Sequence, residues 1–80
     1  MDSVGYIEVI PVGLLKRYVG DRELPILVDG GNRTVDELLG ELGIPSPLVA
    51  IVLVNGRQEL KTHILQDGDV VKLVPLVGGG

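Results

Sequence analysis

The sequence has no cysteine, no phenylalanine and no tryptophan, and only one histidine, one methionine and two tyrosines. Without a thiol there is no disulfide, no cysteine nucleophile, no side-chain persulfide and no thiolate metal site. His63 has no second histidine at ligand spacing and no positioned partner, so it reads as a surface residue without a chemical role. Basic residues are also scarce. Seven Lys and Arg stand against eleven Asp and Glu, for a net charge of −4, and no basic run is longer than Lys16-Arg17. With only Tyr6 and Tyr18 available to stack on bases, a nucleic-acid interface is excluded. The acidic balance fits a soluble protein or one with a basic partner. The longest apolar run, residues 48–54, is too short to cross a bilayer. The opening residues MDSVGYIEV lack the basic-then-apolar pattern of a signal peptide. The expectation is a cytoplasmic protein with no membrane contact, no metal and no bound cofactor.

What is present is aliphatic. Thirteen valines, thirteen leucines and six isoleucines supply almost all of the apolar share in a single 80-residue domain, 1–80. Branched aliphatics favour strands and leucines favour helix. A strand is predicted over 4–10, with Ile7 and Val9 on one face and Tyr6, Glu8 and Ile10 on the other. The segment GLLKRYVG follows, with Leu14, Leu15, Tyr18 and Val19 spaced as one stripe of a short helix that Gly20 ends. A second strand is expected over 23–29, with Pro25 at an edge or a strand start. The strongest local signal is TVDELLGELG. Thr34 and Glu37 form a capping box, and Val35, Leu38, Leu39 and Leu42 make one buried stripe. Gly43 closes this helix and Pro45 prevents its return; Gly40 lies off the stripe. VAIVLV reads as a strand apolar on both faces, Asn55-Gly56 as a hairpin turn, residues 57–60 as the return strand and QDGD as a further turn. A last strand runs from Val70 toward Val77. One main helix for about five strands implies an α+β domain with the helix across one face of a sheet. The outward phase of the first and last strands carries Tyr6, Ile10, Val70, Val74 and Leu76, an apolar docking surface unless the GLLKRYV segment covers it.

Three motifs invite chemical readings. Asp67 and Asp69 suggest a metal loop, but turn chemistry explains QDGD and no further ligands follow. Gly30-Gly31 suggests a phosphate loop, but no Lys-Ser/Thr follows and the spacing of glycines for a dinucleotide is absent. The third is the ending, VKLVPLVGGG. Pro75 has no N–H, so the strand ladder weakens there. Gly78, Gly79 and Gly80 form a flexible tail with no side chains, able to thread a channel that bulk would block. An activated terminal carboxylate there would accept sulfide or an amine. Read from the glycines alone, a frayed end and a working end both remain open.

The helix start TVDELL, the hairpin LVNG, the ending LQDGDVVKLVPLVGGG and the order of elements resemble the ubiquitin-like β-grasp sulfur carriers over essentially the whole chain. Within them the sequence is most similar to the small subunit of molybdopterin synthase. That resemblance implies a mixed sheet of about five strands with one main helix and a short extra helix. It also implies a function. The chain is no enzyme alone; an E1-like activating enzyme uses ATP to adenylate Gly80. The resulting thiocarboxylate, with Gly79 as the second residue of the diglycine, passes sulfur to the pterin in the large synthase subunit. Pro75, Leu76, Val77 and Gly78, with Val70 and Val74, would meet these partners. The resemblance departs in two ways: Leu76 stands where the family often has a second proline, and aliphatics replace aromatics in the outer strands. Thiamine-pathway carriers, tungsten-related carriers and modifiers conjugated to lysine share the ending, so they stay as alternatives.

Overall fold

The computed structural model describes residues 5–76. In chain order the elements are β1 (Tyr6–Pro11), a 3-10 helix (Gly13–Tyr18), β2 (Ile26–Asp29), β3 (Arg33–Thr34), α1 (Val35–Leu42), a second short 3-10 turn (Ser46–Leu48), β4 (Val49–Val54), β5 (Arg57–Glu59), β6 (Ile64–Leu65) and β7 (Val70–Pro75). Five strands form one sheet in the order β2-β1-β7-β4-β5, and β3 and β6 pair in a separate small sheet. β7 occupies the centre. It runs parallel to β1, with Glu8 opposite Val70 and Pro11 opposite Leu73, and antiparallel to β4, with Val52 opposite Leu73. The sheet is therefore mixed.

Strand alternation decides which face is core. Ile7, Val9 and Pro11 point inward from β1, Ile26 and Val28 from β2, and Val71, Leu73 and Pro75 from β7. Against them lies α1, whose Val35, Leu38, Leu39 and Leu42 are all buried. No buried polar side chain interrupts this core among the described residues. The aliphatic composition thus packs as one sheet face against one helix stripe.

Both ends of α1 follow the local signals. The Thr34 hydroxyl accepts from the Glu37 N–H at 3.1 Å, and the Glu37 carboxylate accepts from the Thr34 N–H at 2.8 Å. Gly43 ends the helix in the left-handed region at φ 76°, which glycine adopts without strain. Thr34→Ala should cost about 1 kcal/mol through the lost cap, read as a shifted denaturant midpoint.

The GLLKRYVG segment differs from its predicted stripe. It is a tight 3-10 helix in which Leu15 is buried, and Val19 is buried just past its end, while Leu14 and Tyr18 are exposed. Winding at about three residues per turn does not keep four α-spaced positions on one side. Because Leu15 and Val19 join the core, the segment lies on the inner side and leaves the outer face of the sheet open. The strand predicted over 23–29 begins only after Pro25, at Ile26, and forms the sheet edge expected of it. β3 and β6 are too short to carry a periodic signal.

Candidate functional site

The candidate site is the end of β7 and the surface around it. β7 is started by an interlocked turn. The Asp69 carboxylate accepts from the Gln66 N–H at 2.8 Å and from the Asn55 side-chain amide at 2.9 Å, and the Asn55 side-chain oxygen accepts from the Val70 N–H at 2.9 Å. Asn55 thus serves twice. Its φ of 53°, with Gly56 at 84°, makes the β4–β5 hairpin turn, and its side chain ties that turn to the first residue of β7. Asp69 belongs to this structural network.

Asp67 packs against two glycines. A Cβ on Gly5 would lie 2.1 Å from the Asp67 Cγ, and one on Gly30 would lie 2.2 Å from its Oδ1. The space left by Gly30 is therefore filled by a carboxylate, which disposes of the phosphate-loop reading of Gly30-Gly31. Among the described residues, no group of three or more His, Asp or Glu side chains could hold a metal ion. His63 is half-buried, with Nδ1 3.4 Å from the carboxylate of Glu59 at the end of β5. Gly40 is exposed with open space where a Cβ would stand, and nothing in the structure explains why glycine stands there.

At the other end, β7 leaves the sheet. Pro75 is buried on the inward phase, and a Cβ on Gly13 would meet its ring at 3.4 Å. Its side chain is therefore not available for contact with a partner; it sits under the exit. Leu76 is exposed, and its N–H donates to the Leu48 carbonyl at 2.8 Å. The chain is thus held one residue beyond the point where Pro75 weakens the ladder. Val77, Gly78, Gly79 and Gly80, expected to form the working end, lie outside the described residues.

The outer face of the sheet flanks this exit. Tyr6 and Leu76 are exposed, and Ile10, Val70 and Val74 are half-buried, all on the phase opposite the core. Leu27, at 59% exposure, and Ile51, at 36%, lie on the same phase of β2 and β4, and Leu53 joins them. Sequence reasoning had no reason to include these three, since the sheet order that places β2 and β4 beside β1 and β7 is not written in any one strand. Only Glu8 and Lys72 bring charge to the middle of this surface, and the register sets Lys72 beside Ile10 and Leu53. No helix among the described residues is long and apolar enough to cross a membrane.

A mixed sheet with the last strand central and parallel to the first, closed over one capped helix, is the ubiquitin-like β-grasp. The model of the ThiS family matches residues 15–80, and the chain belongs to that family. It is a ubiquitin-like sulfur carrier or modifier. The solution structure of Urm1 from Trypanosoma brucei is similar at a TM-score of 0.68, with 19% identity over 100% of both chains. The crystal structure of SAMP1 from Haloferax volcanii is similar at 0.67, with 26% identity over 95% of this chain and 100% of that one. The solution structure of the Haloferax volcanii HVO 2177 protein is similar at 0.63, with 24% identity over 100% of this chain and 92% of that one. The first and third of these likenesses speak for the fold alone. No curated protein matches the chain by sequence.

Proposed function

We propose that this chain carries sulfur on the carboxyl of Gly80 for the assembly of the molybdopterin dithiolene. An E1-like enzyme would transfer AMP from ATP to the Gly80 carboxylate, releasing pyrophosphate. A sulfide equivalent would then attack the acyl carbon and expel AMP, leaving a thiocarboxylate. The large synthase subunit would receive the Gly78-Gly79-Gly80 segment and pass the sulfur to the pterin. The observation that carries this reading is the exit of β7: a central strand anchored on both sides down to Leu73, freed from β1 at Pro75 and held to β4 only through Leu76, beside an apolar face that no described residue covers. The chain has no thiol, so a sulfur cargo needs another attachment point. The pterin branch rests on the sequence resemblance, which includes the GLLKRYVG segment that forms the Gly13–Tyr18 helix between β1 and β2.

The test is the intact mass of the protein purified from its own cells. A carrier shows a fraction heavier by the difference between one sulfur and one oxygen, confined to the C-terminal peptide. The same adenylate attacked by a lysine amine would instead give an isopeptide. Conjugates to other proteins in the absence of any thiocarboxylate would therefore move the assignment to a modifier.

The outer sheet face is the surface on which the activating enzyme and the synthase subunit would dock. Val74→Asp places a charge at its centre, beside Ile51. It should weaken binding to either partner by about tenfold or more, equivalent to about 1.4 kcal/mol, with the thermal melt retained. Loss of folding would show that the face is internal.

A further inference from the structure

β4 contains one residue more than its pairing needs. Val49 pairs with Pro75 and Ile51 with Val74, which leaves Ala50 between them as a bulge. Burial shows the same insertion: Val49 is inward, Ala50 and Ile51 are both exposed, and Val52 is inward again. The core does not require it. Without Ala50 the strand would alternate Val49, Val52 and Val54 inward with Ile51 and Leu53 outward, unbroken. Pro75 does not require it either. The Leu76 N–H points to β4, where it donates to Leu48, so the missing N–H of Pro75 faces the other way, toward β1.

On that other side the ladder stops. The Val12 N–H donates to the Leu73 carbonyl at 2.9 Å, and the next bond of a parallel ladder would come from the N–H that Pro75 lacks. The Val12 carbonyl takes the Leu15 N–H at 3.2 Å instead. The end of β7 is thus free of β1 from Pro75 onward but attached to β4 at Leu76, on the far side of a bulge.

We propose that the Ala50 bulge and Pro75 together form an exit guide that sets the direction in which the C-terminal segment leaves the sheet. This rests on the carrier reading above. A bulge bends the strand that holds it and increases its twist. Leu48 lies beyond the bend and holds Leu76, so the bend is passed to the root of the tail. The competing account is edge protection, because β5 pairs only with Val52, Leu53 and Val54 and leaves the outer side of Val49–Ile51 open.

The experiment measures ATP–pyrophosphate exchange by the E1-like activating enzyme of the source organism with the full chain as substrate. Deletion of Ala50 straightens the exit. Pro75→Val gives β7 an N–H that the second lone pair of the Val12 carbonyl can accept, closing the exit from the β1 side with the bulge intact. Each should lower kcat at least about tenfold, since a 1 Å misplacement of a reacting group costs on the order of 10²-fold. KM should stay unchanged, because the docking face is untouched. Ala50→Gly keeps the extra residue and should behave as wild type. Wild-type kcat in Pro75→Val, or in a folded Ala50 deletion, overturns the guide, and Pro75→Val decides alone if the deletion does not fold. A rise in KM that accounts for the loss also overturns it, by assigning the effect to docking. An Ala50 deletion that self-associates at wild-type kcat assigns the bulge to edge protection and overturns the guide as well. No exchange with the wild-type chain would count against the carrier reading itself.

Discussion

Deleting Gly80 is expected to abolish sulfur transfer and leave the unfolding transition where it was. The acyl carbon has to arrive within about 3–3.5 Å of its attacking group, and rates fall by on the order of 10²-fold for a 1 Å error. One residue moves an extended end by about 3.3 Å. A chain one residue short therefore presents its carboxylate a full residue away from the reaction. Adding a residue beyond Gly80 should fail equally. Gly79→Val should fail by a different route, because a branched side chain would clash with a channel sized for bare backbone. Among the described residues the buried core draws on Ile7 to Leu73, and a glycine has no side chain to add to such a core. Transfer and a thermal melt measured on each variant give the result. Normal transfer by the Gly80 deletion would refute the carrier reading.

Leu38→Ala should lower the unfolding free energy by about 2–5 kcal/mol. Leu38 is fully buried at the centre of the α1 stripe, facing the inward residues of the sheet. Truncation removes its contacts and leaves a void that a close-packed aliphatic core fills only partly. A small domain has a total stability on the order of 5–15 kcal/mol, so this single change takes a large part of it. The denaturant midpoint should fall at unchanged slope. Leu39→Ala should behave alike, and a midpoint that barely moved would contradict the packing of α1. Set beside the tail variants, this loss would separate residues that hold the body from residues that would carry the cargo.

The helix was legible because its signals are local. The capping box, the four apolar positions and Gly43 all lie within the one short stretch from Thr34 to Gly43, and the structure shows each in the expected place. The Asn55-Gly56 hairpin and the QDGD turn were legible for the same reason, since positive φ at Asn55, Gly56 and Gly68 restricts which residues can stand there. The wrong stripe in GLLKRYVG came from assuming 3.6 residues per turn in a segment of only six residues, too short to repeat any period. VAIVLV looked apolar on both faces. The distance of three between Val49 and Val52, where two is the strand period, was the trace of the bulge, but six apolar residues in a row hid it. Asn55 bonding to Val70, and Asp67 lying on Gly5 and Gly30, join residues far apart in sequence and left no pattern to read. For the site, the outward phase of β1 and β7 could be worked out residue by residue. The addition of Leu27, Ile51 and Leu53 needed the strand order.

The central place of β7 has a consequence for how the protein comes to exist in the cell. Synthesis runs from the N-terminus, and β1 and β4 are made well before the strand that must lie between them. Until residues 70–75 have cleared the ribosome, the two halves of the sheet have no shared neighbour, and the inward faces of both lack Val71 and Leu73. Folding therefore waits for the same stretch of chain that leads into the proposed carrier end. Nascent chains stalled before residue 70 should remain fully sensitive to protease, whereas chains with residue 80 outside the exit tunnel should resist it. On the carrier reading, an unfinished copy would lack the assembled outer face and so would not occupy an activating enzyme with an end that has nothing to deliver.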